Sequence, residues 1–380
     1  MAAYRGNKKR VLMILSNPLL VDPRVHKEAK VLVENGYKVT VIVWDRHNEY
    51  KEKDIIDDIE VIRLRISKLS GSIHGKLIKI ILWWKKVYKE ISRLLREGYQ
   101  FDVIHCHDLD TLLVGVLLKR RLNLKLIYDA HEIYGYMLKD DHPLISKFAF
   151  VLEKLLVKFV DHIITIDEPF KEYFEKFNKP VTIVMNCKDL IYNEYSPPNN
   201  PVFTLVYIGL MSKGRFFPDI LDVVGNLENV KLILAGKKEG LFEEIKNYSK
   251  RFDNIEFLGT IPSSKILPLT RKADATFVIT DLKGQHKMNV FNKQFEAMVC
   301  GRPIIVTKGT YAGKMTEELK CGLTVDYDRD SVRDAIVKLR DNPDLCRKLG
   351  ENAFKAAKER YNWDVEKKKL LEVYRAILWA

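Results

Sequence analysis

Three histidines stand at or just after apolar runs in the first half of the chain. His105 and His107 end one run, His131 follows the next, and Asp108 comes directly after His107. Imidazole and carboxylate groups can orient hydroxyls, move protons or stabilise charge. A lone histidine is more often a packed structural residue, and His105 also fits an inward-facing strand position. Three histidines at neighbouring strand ends favour a functional site.

Basic side chains occupy two further positions where an anion could bind. Arg24 follows the helix start Asp22-Pro23, and a helix N-terminus attracts anions. Lys213 and Arg215 follow the apolar run and glycine turn of 207–215, YIGLMSKGR. The alternatives are a surface arginine at 24 and an exposed basic turn at 213–215.

Composition limits the classes of protein that these residues can serve. The 380 residues carry a formal net charge of +13, which suits an anionic partner or a lysine-rich surface. Five cysteines stand singly, with no C-x-x-C pair, so neither a zinc site nor a disulfide framework is indicated. We therefore expect a cytoplasmic protein. The basic start MAAYRGNKKR leads into a strand and predicts no signal peptide.

Short Val- and Ile-rich runs alternate with amphipathic stretches, which is the pattern of parallel α/β sheets. The predicted strands are 10–16, 38–44, 59–65, 101–105, 125–129, 162–167, 181–185, 204–208, 231–235, 255–258, 275–279, 304–307 and 323–325. The pattern restarts after the proline-rich segment 195–201. We predict two doubly wound domains, 1–196 and 197–361, and a C-terminal helix, 362–380, that returns to the first.

Five collinear segments resemble glycosyltransferase family 4. They read DPRVHKEA at 22–29, FDVIHCHDLDTLL at 101–113, KLIYDAHEI at 125–133, NKQFEAMVCGRP at 292–303, and LGENAFKAAKERYNWDVEKKKLLEVYR at 349–375. The resemblance implies the α/β GT-B fold, in which two Rossmann-like domains face each other across a cleft. It also implies a retaining transferase that moves a sugar from a UDP- or GDP-linked donor to an acceptor hydroxyl. Glycolipid, lipid-linked oligosaccharide and polysaccharide synthesis are the expected settings.

The resemblance assigns roles in the first, acceptor-binding domain. His131 corresponds to the residue that contacts the donor sugar beside the reacting carbon. His107 and Asp108 are candidates for orienting the acceptor hydroxyl, and Arg24 for lining the cleft.

In the second, nucleotide-binding domain, the resemblance assigns Lys213 and Arg215 to the donor diphosphate and Glu296 to the ribose hydroxyls. The family commonly has a glutamate eight positions before Glu296, where this chain has Met288. Residues 283–287 are candidates to replace that sugar contact. Further candidates for the cleft are Asn292, Lys293 and His286.

Aspartate pairs of the form D-x-D raise the question of a metal. Asp108 and Asp110 form one pair, and two more overlap at 326–330. We interpret Asp108 and Asp110 as acids capping a helix start. The GT-B resemblance implies that basic side chains and a helix dipole neutralise the phosphates, so no metal and no cofactor are expected.

The segment 71–97 is the clearest basic amphipathic stretch, with seven lysines and arginines around Trp83 and Trp84. Basic helices with tryptophan suit an anionic membrane surface, which would place the protein at the cytoplasmic face. The alternative is a domain helix with one solvated face.

Two other functions fit the same fold. They are a nucleotide-sugar epimerase and a non-catalytic sugar-binding protein. No motif for nucleic-acid binding is present.

Overall fold

The computed structural model describes residues 8–46, 48–66, 73–140 and 142–379, without the side chains of 73–77. The start of the basic N-terminus, residues 71–72 and the Lys76 side chain therefore lie outside the described part. The chain forms two compact units, Met1–Val184 with Lys367–Ala380, and Met185–Glu366. These units divide before the predicted linker, and the domain boundaries at 196 and 361 stay a prediction.

The first unit alternates strands with helices along the chain. Its elements are β1 (Arg10–Leu15), α1 (Pro23–Glu34), β2 (Lys38–Trp44), β3 (Lys53–Ile56), β4 (Ile59–Leu64), α2 (Ile73–Arg96), β5 (Val103–His107), α3 (Leu109–Leu122), β6 (Lys125–Ala130), α4 (Tyr134–Met137), α5 (Pro143–Leu156), β7 (His162–Thr165), α6 (Glu168–Glu175) and β8 (Val181–Ile183). The described strands form one sheet of order β3-β4-β2-β1-β5-β6-β7-β8. All its pairings are parallel except that of β3 with β4.

The second unit repeats this plan with a smaller sheet. Its elements are β9 (Phe203–Ile208), α7 (Asp219–Gly225), β10 (Val230–Ala235), α8 (Phe242–Ser249), β11 (Ile255–Phe257), α9 (Ile266–Lys272), β12 (Ala275–Val278), α10 (Asn292–Cys300), β13 (Ile304–Thr307), α11 (Tyr311–Leu319), β14 (Gly322–Val325), α12 (Arg329–Asp341) and α13 (Pro343–Glu359). The strand order is β11-β10-β9-β12-β13-β14, all parallel. A last helix, α14 (Trp363–Leu378), begins in the second unit and continues into the first.

Strand order reverses once in each sheet, between β1 and β5 and between β9 and β12. Connections leave these neighbouring strands in opposite directions, which opens a crevice at their carboxyl ends. Arg24 and His107 adjoin the first reversal, and Lys213 and His286 lie in the connections after β9 and β12. The fold therefore brings candidate residues to the edge where such sheets bind ligands.

The predicted α/β class and each predicted strand are confirmed, but the sequence pattern missed β3. This edge strand is short, half-polar (KDII) and partly exposed, so it lacks the apolar signal of the parallel strands. Asp57 and Asp58 both have positive φ, 49° and 60°, and form the tight turn that pairs β3 antiparallel with β4.

The structure corrects the role of the tryptophan pair in α2. Trp83 is fully buried and stacks on Trp44 with ring centroids 5.5 Å apart. Trp84 donates a hydrogen bond from Nε1 to the Asp110 carbonyl at 2.5 Å. The prediction that these two side chains present α2 to a membrane is wrong, because both are used to pack the helix on the domain.

Among the described helices, none combines the length and the apolar character that a membrane crossing needs.

Candidate active site

A buried carboxylate, Asp129, organises the polar cluster in the first unit. It lies at the end of β6 and is fully buried. Its Oδ2 lies 2.8 Å from His131 Nε2 and 3.3 Å from His107 Nδ1. Arg24 donates to both of its oxygens, from Nη2 to Oδ1 at 2.9 Å and from Nε to Oδ2 at 3.2 Å. A buried charge needs such compensation, since desolvation is otherwise too costly.

Helix α1 delivers Arg24 to this carboxylate. Asp22 caps the helix by accepting a hydrogen bond from the Val25 amide, and Pro23 occupies its first turn. Arg24 also pairs with Glu28 at 3.1 Å, one turn along the same face. Only 8% of Arg24 is exposed. The alternative of a surface arginine is wrong, because its guanidinium is the buried counter-ion of two carboxylates.

His131 lies between two carboxylates and is the most exposed of the three histidines. Its Nε2 faces Asp129, and its Nδ1 is 3.6 Å from Asp108 Oδ2. Burial by itself favours the neutral ring, but the charges of Asp129 and then Asp108 outweigh it and raise the pKa of His131 to about 10. Burial likewise opposes ionisation of Asp129, yet Arg24 and His131 hold its pKa well below the usual value. At neutral pH the pair is an imidazolium and a carboxylate.

Asp108 adopts a backbone conformation that non-glycine residues rarely adopt, with φ 64° and ψ 165°. In this turn between β5 and α3, its Oδ1 accepts hydrogen bonds from the amides of His131 and Glu132, at 3.0 and 3.2 Å. It makes no side-chain cap to α3. The predicted capping role is therefore wrong for Asp108, whose carboxylate instead fixes the loop that carries His131.

The two strand histidines are buried and differ from His131 in charge. Burial lowers the pKa of His105 well below its usual value, and it lowers that of His107 too. His105 Nδ1 lies 2.8 Å from the Tyr374 hydroxyl of α14. His105 therefore fits the alternative of an inward-facing strand residue. His107 instead supports the ring of His131, with His107 Nδ1 3.4 Å from His131 Nε2.

Four groups in this cluster have the chemistry of metal ligands. Glu28, His105, His107 and Asp129 offer ligand atoms that all lie within 4.8 Å of one another. Both carboxylates of the set are, however, ion-paired with Arg24. The guanidinium thus supplies the positive charge that a divalent ion would supply.

In the second unit, the basic turn after β9 contains two unlike cations. Lys213 is exposed, and its carbonyl accepts a hydrogen bond from the Tyr327 hydroxyl at 2.7 Å. Arg215 is half-buried, stacks over the Phe291 ring at 5.3 Å, and has a buried Nε without a hydrogen-bond partner in the described residues. Arg215 therefore retains a donor for a ligand.

Lys293 is a buried cation beside the same strand end. It is 9% exposed and lies over the Tyr207 ring, with Nζ 4.4 Å from the centroid. A Cβ at Gly209 would lie 2.3 Å from Nζ, so the ammonium occupies the space that a side chain at position 209 would need. Within the described part of the chain, no carboxylate pairs with it. An unpaired buried ammonium favours an anionic ligand.

The N-terminus of helix α10 adds positive electrostatic potential beside Lys293. Its N-cap, Phe291, provides no side-chain cap, so its first amides keep donors for a ligand. Further along, Glu296 pairs with Lys188 at 3.2 Å, and Lys188 also donates to Asn292 Oδ1 at 3.2 Å.

His286 pairs with Asp281, with Nδ1 and Oδ1 2.6 Å apart, in the connection after β12. The pair packs against Gly214 of the basic turn, where a Cβ would meet Asp281 Oδ2 and His286 Cε1 at 3.1 Å each. Met288, at the position of the usual family glutamate, ends the following 3-10 turn. A polar dyad thus stands close to where the family glutamate is missing.

Sequence reasoning named the histidines but gave no role to Asp129, Glu28, Lys188 or Asp281. For two of these residues, the sequence contains a pattern that could have indicated a role. Asp129 is a charged residue inside an otherwise apolar strand, and Glu28 follows Arg24 at the helical spacing of four. Lys188 had no comparable signal, because its partner Glu296 is distant in sequence.

Residues 23–190 match the family profile Glycosyltransferase Family 4, and residues 203–342 match Glycosyl transferases group 1. The chain is a glycosyltransferase that combines the family 4 and group 1 regions. It is similar to MJ1607, an uncharacterized glycosyltransferase of Methanocaldococcus jannaschii, with 24% identity over 91% of this chain and 92% of the relative. Family membership makes the chain a glycosyltransferase, in preference to the epimerase and sugar-binding alternatives.

Solved structures show the GT-B fold of this glycosyltransferase. Sucrose-phosphate synthase from Thermosynechococcus elongatus aligns with TM-score 0.79 and 15% identity over 98% of this chain and 100% of that chain. HepE from Anabaena, in complex with UDP-glucose, aligns with TM-score 0.67 and 14% identity over 96% of this chain and 99% of that chain.

The positive φ of Asp108 predicts that a glycine variant at this position is more stable than an alanine variant, the reverse of the usual order. Asp108→Ala and Asp108→Gly both lose the carboxylate, but only glycine relaxes the positive φ. The glycine variant should be the more stable by about 1–3 kcal/mol. At Asp161, which has no positive φ, alanine should be the more stable by about 0.4–1 kcal/mol. Urea unfolding of the four variants measures both differences. Equal stability of the two Asp108 variants would contradict the strain.

The two carboxylates beside His131 predict an unusually basic imidazole. NMR titration of the nine histidines should show one resonance with a pKa near 10 that disappears in His131→Gln. Because the pKa is raised in the folded state, the stabilisation is complete below pH 6.5 and is lost as the pH rises through about 10. Wild type and His131→Gln should therefore converge in stability at high pH. A His131 resonance that titrates near 6.5 would show that the carboxylates do not hold the proton.

Proposed function

We propose that this glycosyltransferase moves a sugar from a UDP- or GDP-linked donor to an acceptor hydroxyl, with retention of anomeric configuration. The observation that carries the proposal is the pair of uncompensated cations in the second unit. Lys293 is buried without a carboxylate, and Arg215 has a buried free donor. A diphosphate supplies the missing negative charge.

The position of these cations supports a leaving diphosphate. They lie at the β9 strand end and at the uncapped N-terminus of α10, where fixed donors and the helix dipole favour phosphate. When the sugar–phosphate bond breaks, negative charge grows on the diphosphate. Fixed cations therefore stabilise the transition state more than the bound substrate. Lys213, which is exposed, can close on the phosphates from the solvent side.

Glu296 is the proposed ribose contact. A carboxylate can accept hydrogen bonds from both ribose hydroxyls, and the ion pair with Lys188 at 3.2 Å orients this one. The His286–Asp281 dyad beside Gly214 is the proposed replacement for the missing family glutamate.

His131 is the proposed catalytic residue of the first unit. As an imidazolium held by Asp129 and Asp108, it can donate a hydrogen bond to the donor sugar but cannot serve as a base. Asp129 is saturated by Arg24, His107 and His131, which argues against its acting as a nucleophile. Both points favour same-face attack, in which the leaving phosphate accepts the acceptor proton. His107 and Asp108 orient the acceptor.

HepE is complexed with UDP-glucose, which makes UDP-sugars the first donors to test. The proposed acceptor is a carbohydrate or lipid-linked saccharide at the cytoplasmic face of a membrane, with peripheral association. Because Arg24 ion-pairs with Asp129 and contacts Glu28, and cations surround the proposed phosphate site, we propose that no metal is required.

The function predicts nucleotide release and a new glycosidic product, both resistant to EDTA. The purified chain is incubated with UDP- or GDP-sugars and lipid-linked or soluble saccharides. Released UDP or GDP and the anomeric configuration of the product are then measured. Activity should persist in EDTA. Complete loss in chelator with rescue by Mg²⁺ or Mn²⁺ would contradict metal independence, and an inverted product would contradict the same-face mechanism.

The charged residues near the end of β9 predict that some substitutions lower kcat and that others raise the donor KM. Lys293→Met and Arg215→Ala should each lower kcat on the order of 100-fold, because they remove cations that act on the leaving group. Glu296→Gln should chiefly raise the donor KM, since the ribose is held equally before and during reaction. His131→Ala should lower kcat with nearly unchanged nucleotide affinity.

The matched control for these variants is Lys355→Met, which removes a lysine 71% exposed on α13. Its turnover and UDP affinity should equal those of the wild type. Normal kcat in both Lys293→Met and Arg215→Ala would show that the donor phosphates lie elsewhere.

A further inference from the structure

Helix α5 buries two polar side chains together with apolar ones, and it leaves a second apolar row exposed. Its buried face includes Ser146, whose hydroxyl donates to the Gly135 carbonyl at 2.7 Å, and Glu153. Glu153 accepts hydrogen bonds from the Tyr128 and Tyr173 hydroxyls, each at 2.7 Å. Ala149 and Leu156 are buried on the same face, and Phe150 packs on Tyr136 and Tyr173. A second row of large apolar side chains is left outside. A surface helix normally buries its apolar stripe.

The exposed stripe is continuous along the helix. Leu144 is 81% exposed, Phe148 62%, Val151 56% and Leu155 51%, and Phe159 extends the row at 40%. Spacings of four and three residues place the first four on one face, one above another. A contiguous apolar row of this length marks an interaction site rather than scattered surface residues.

The only charges on the exposed face of the described helix and its 3-10 extension are positive. Lys147, Lys154 and Lys158 are exposed beside the apolar stripe. The one acid of the helix, Glu153, is buried under the two tyrosines. Arg120 lies over the Phe159 ring at 5.6 Å and adds a further cation at that end. Apolar side chains flanked by lysines match the two layers of an anionic bilayer surface, acyl chains and phosphates.

A second copy of the chain fits this face less well. In a two-fold dimer the same patch meets itself. The lysines that flank the stripe would then face lysines, with no acid on the face to pair with them. A phospholipid surface instead accepts long lysine stems that reach the headgroup level.

We propose that α5 docks this glycosyltransferase on anionic lipid, through the stripe Leu144, Phe148, Val151 and Leu155 with Lys147, Lys154 and Lys158. The inference rests on the peripheral membrane association proposed above and gives it a site. It replaces the tryptophan pair of α2 as the lipid contact, since Trp83 is buried and Trp84 is hydrogen-bonded to the Asp110 carbonyl.

All five native cysteines are buried, so a single exposed cysteine can be labelled selectively. The full chain carrying Phe148→Cys is labelled with an environment-sensitive fluorophore and mixed with phosphatidylglycerol or phosphatidylcholine vesicles. The emission should shift to shorter wavelength with phosphatidylglycerol and revert as salt rises. The same label on Ile55→Cys, a position 73% exposed on β3, should not respond.

Unlabelled variants separate the apolar and electrostatic contributions. Phe148→Ser with Leu155→Ser should weaken vesicle binding at least about tenfold, and glutamine at Lys147, Lys154 and Lys158 about fivefold per lysine removed. The matched controls are Ile55→Ser and glutamine at three exposed lysines of α13, Lys348, Lys355 and Lys358. These controls should bind vesicles like the wild type.

Three results would overturn the proposal: equal binding to both lipids, vesicle binding with a silent label at position 148, or self-association that Phe148→Ser abolishes. UDP and GDP affinities are measured on the same samples. Vesicle binding without nucleotide binding would leave the lipid site standing and refute the donor proposal.

Discussion

The compensation of one buried negative charge determines the arrangement of the first unit. Asp129 is fully buried at the end of β6 and would be prohibitively costly to ionise alone. Arg24 and His131 together satisfy it, and each is held in turn by a further acid, Glu28 or Asp108. This network of ion pairs and hydrogen bonds ties α1, β5, β6 and the loop after β6 into one unit, although burial raises the pKa of Glu28 and of Asp108 to about 8. The same network keeps His131 protonated, so the stabilising network and the proposed catalytic cation are one structure.

The second unit shows the opposite electrostatic condition at the equivalent edge of its sheet. Lys293 and Arg215 are positioned by packing on aromatic rings, not by acids. Aromatic faces hold a cation in place without cancelling its charge. The unit therefore keeps positive potential available for a ligand, at the N-terminus of α10. Internal neutrality on one sheet and retained charge on the other suit an enzyme that positions an acceptor with one and binds an anionic leaving group with the other.

In helix α5, as around Asp129, the buried polar groups have hydrogen-bond partners. Its buried polar groups, Ser146 and Glu153, are satisfied within the domain, while the apolar row from Leu144 to Leu155 remains exposed. Exposed apolar area is unfavourable in water unless something covers it. A lipid surface would provide that cover and bring the enzyme to a lipid-linked acceptor.

The α/β class, the strands of both parallel sheets and the family could be predicted from the amino-acid sequence, because apolar periodicity and collinear motifs are local properties of the chain. The sequence pattern missed β3, whose pairing depends on the turn at Asp57 and Asp58. The sequence also located the histidines, the basic turn and Glu296, since these residues lie in the motifs.

The contacts of each side chain follow from the tertiary fold. Arg24 is an internal counter-ion, Lys293 is buried without a carboxylate partner, and Lys188 pairs with Glu296. The tertiary fold likewise buried Trp83 of the candidate membrane helix α2 and exposed Phe148 of α5, a residue that no sequence prediction had named. The physical reason is that burial and charge compensation depend on neighbours distant in sequence, which no local pattern contains.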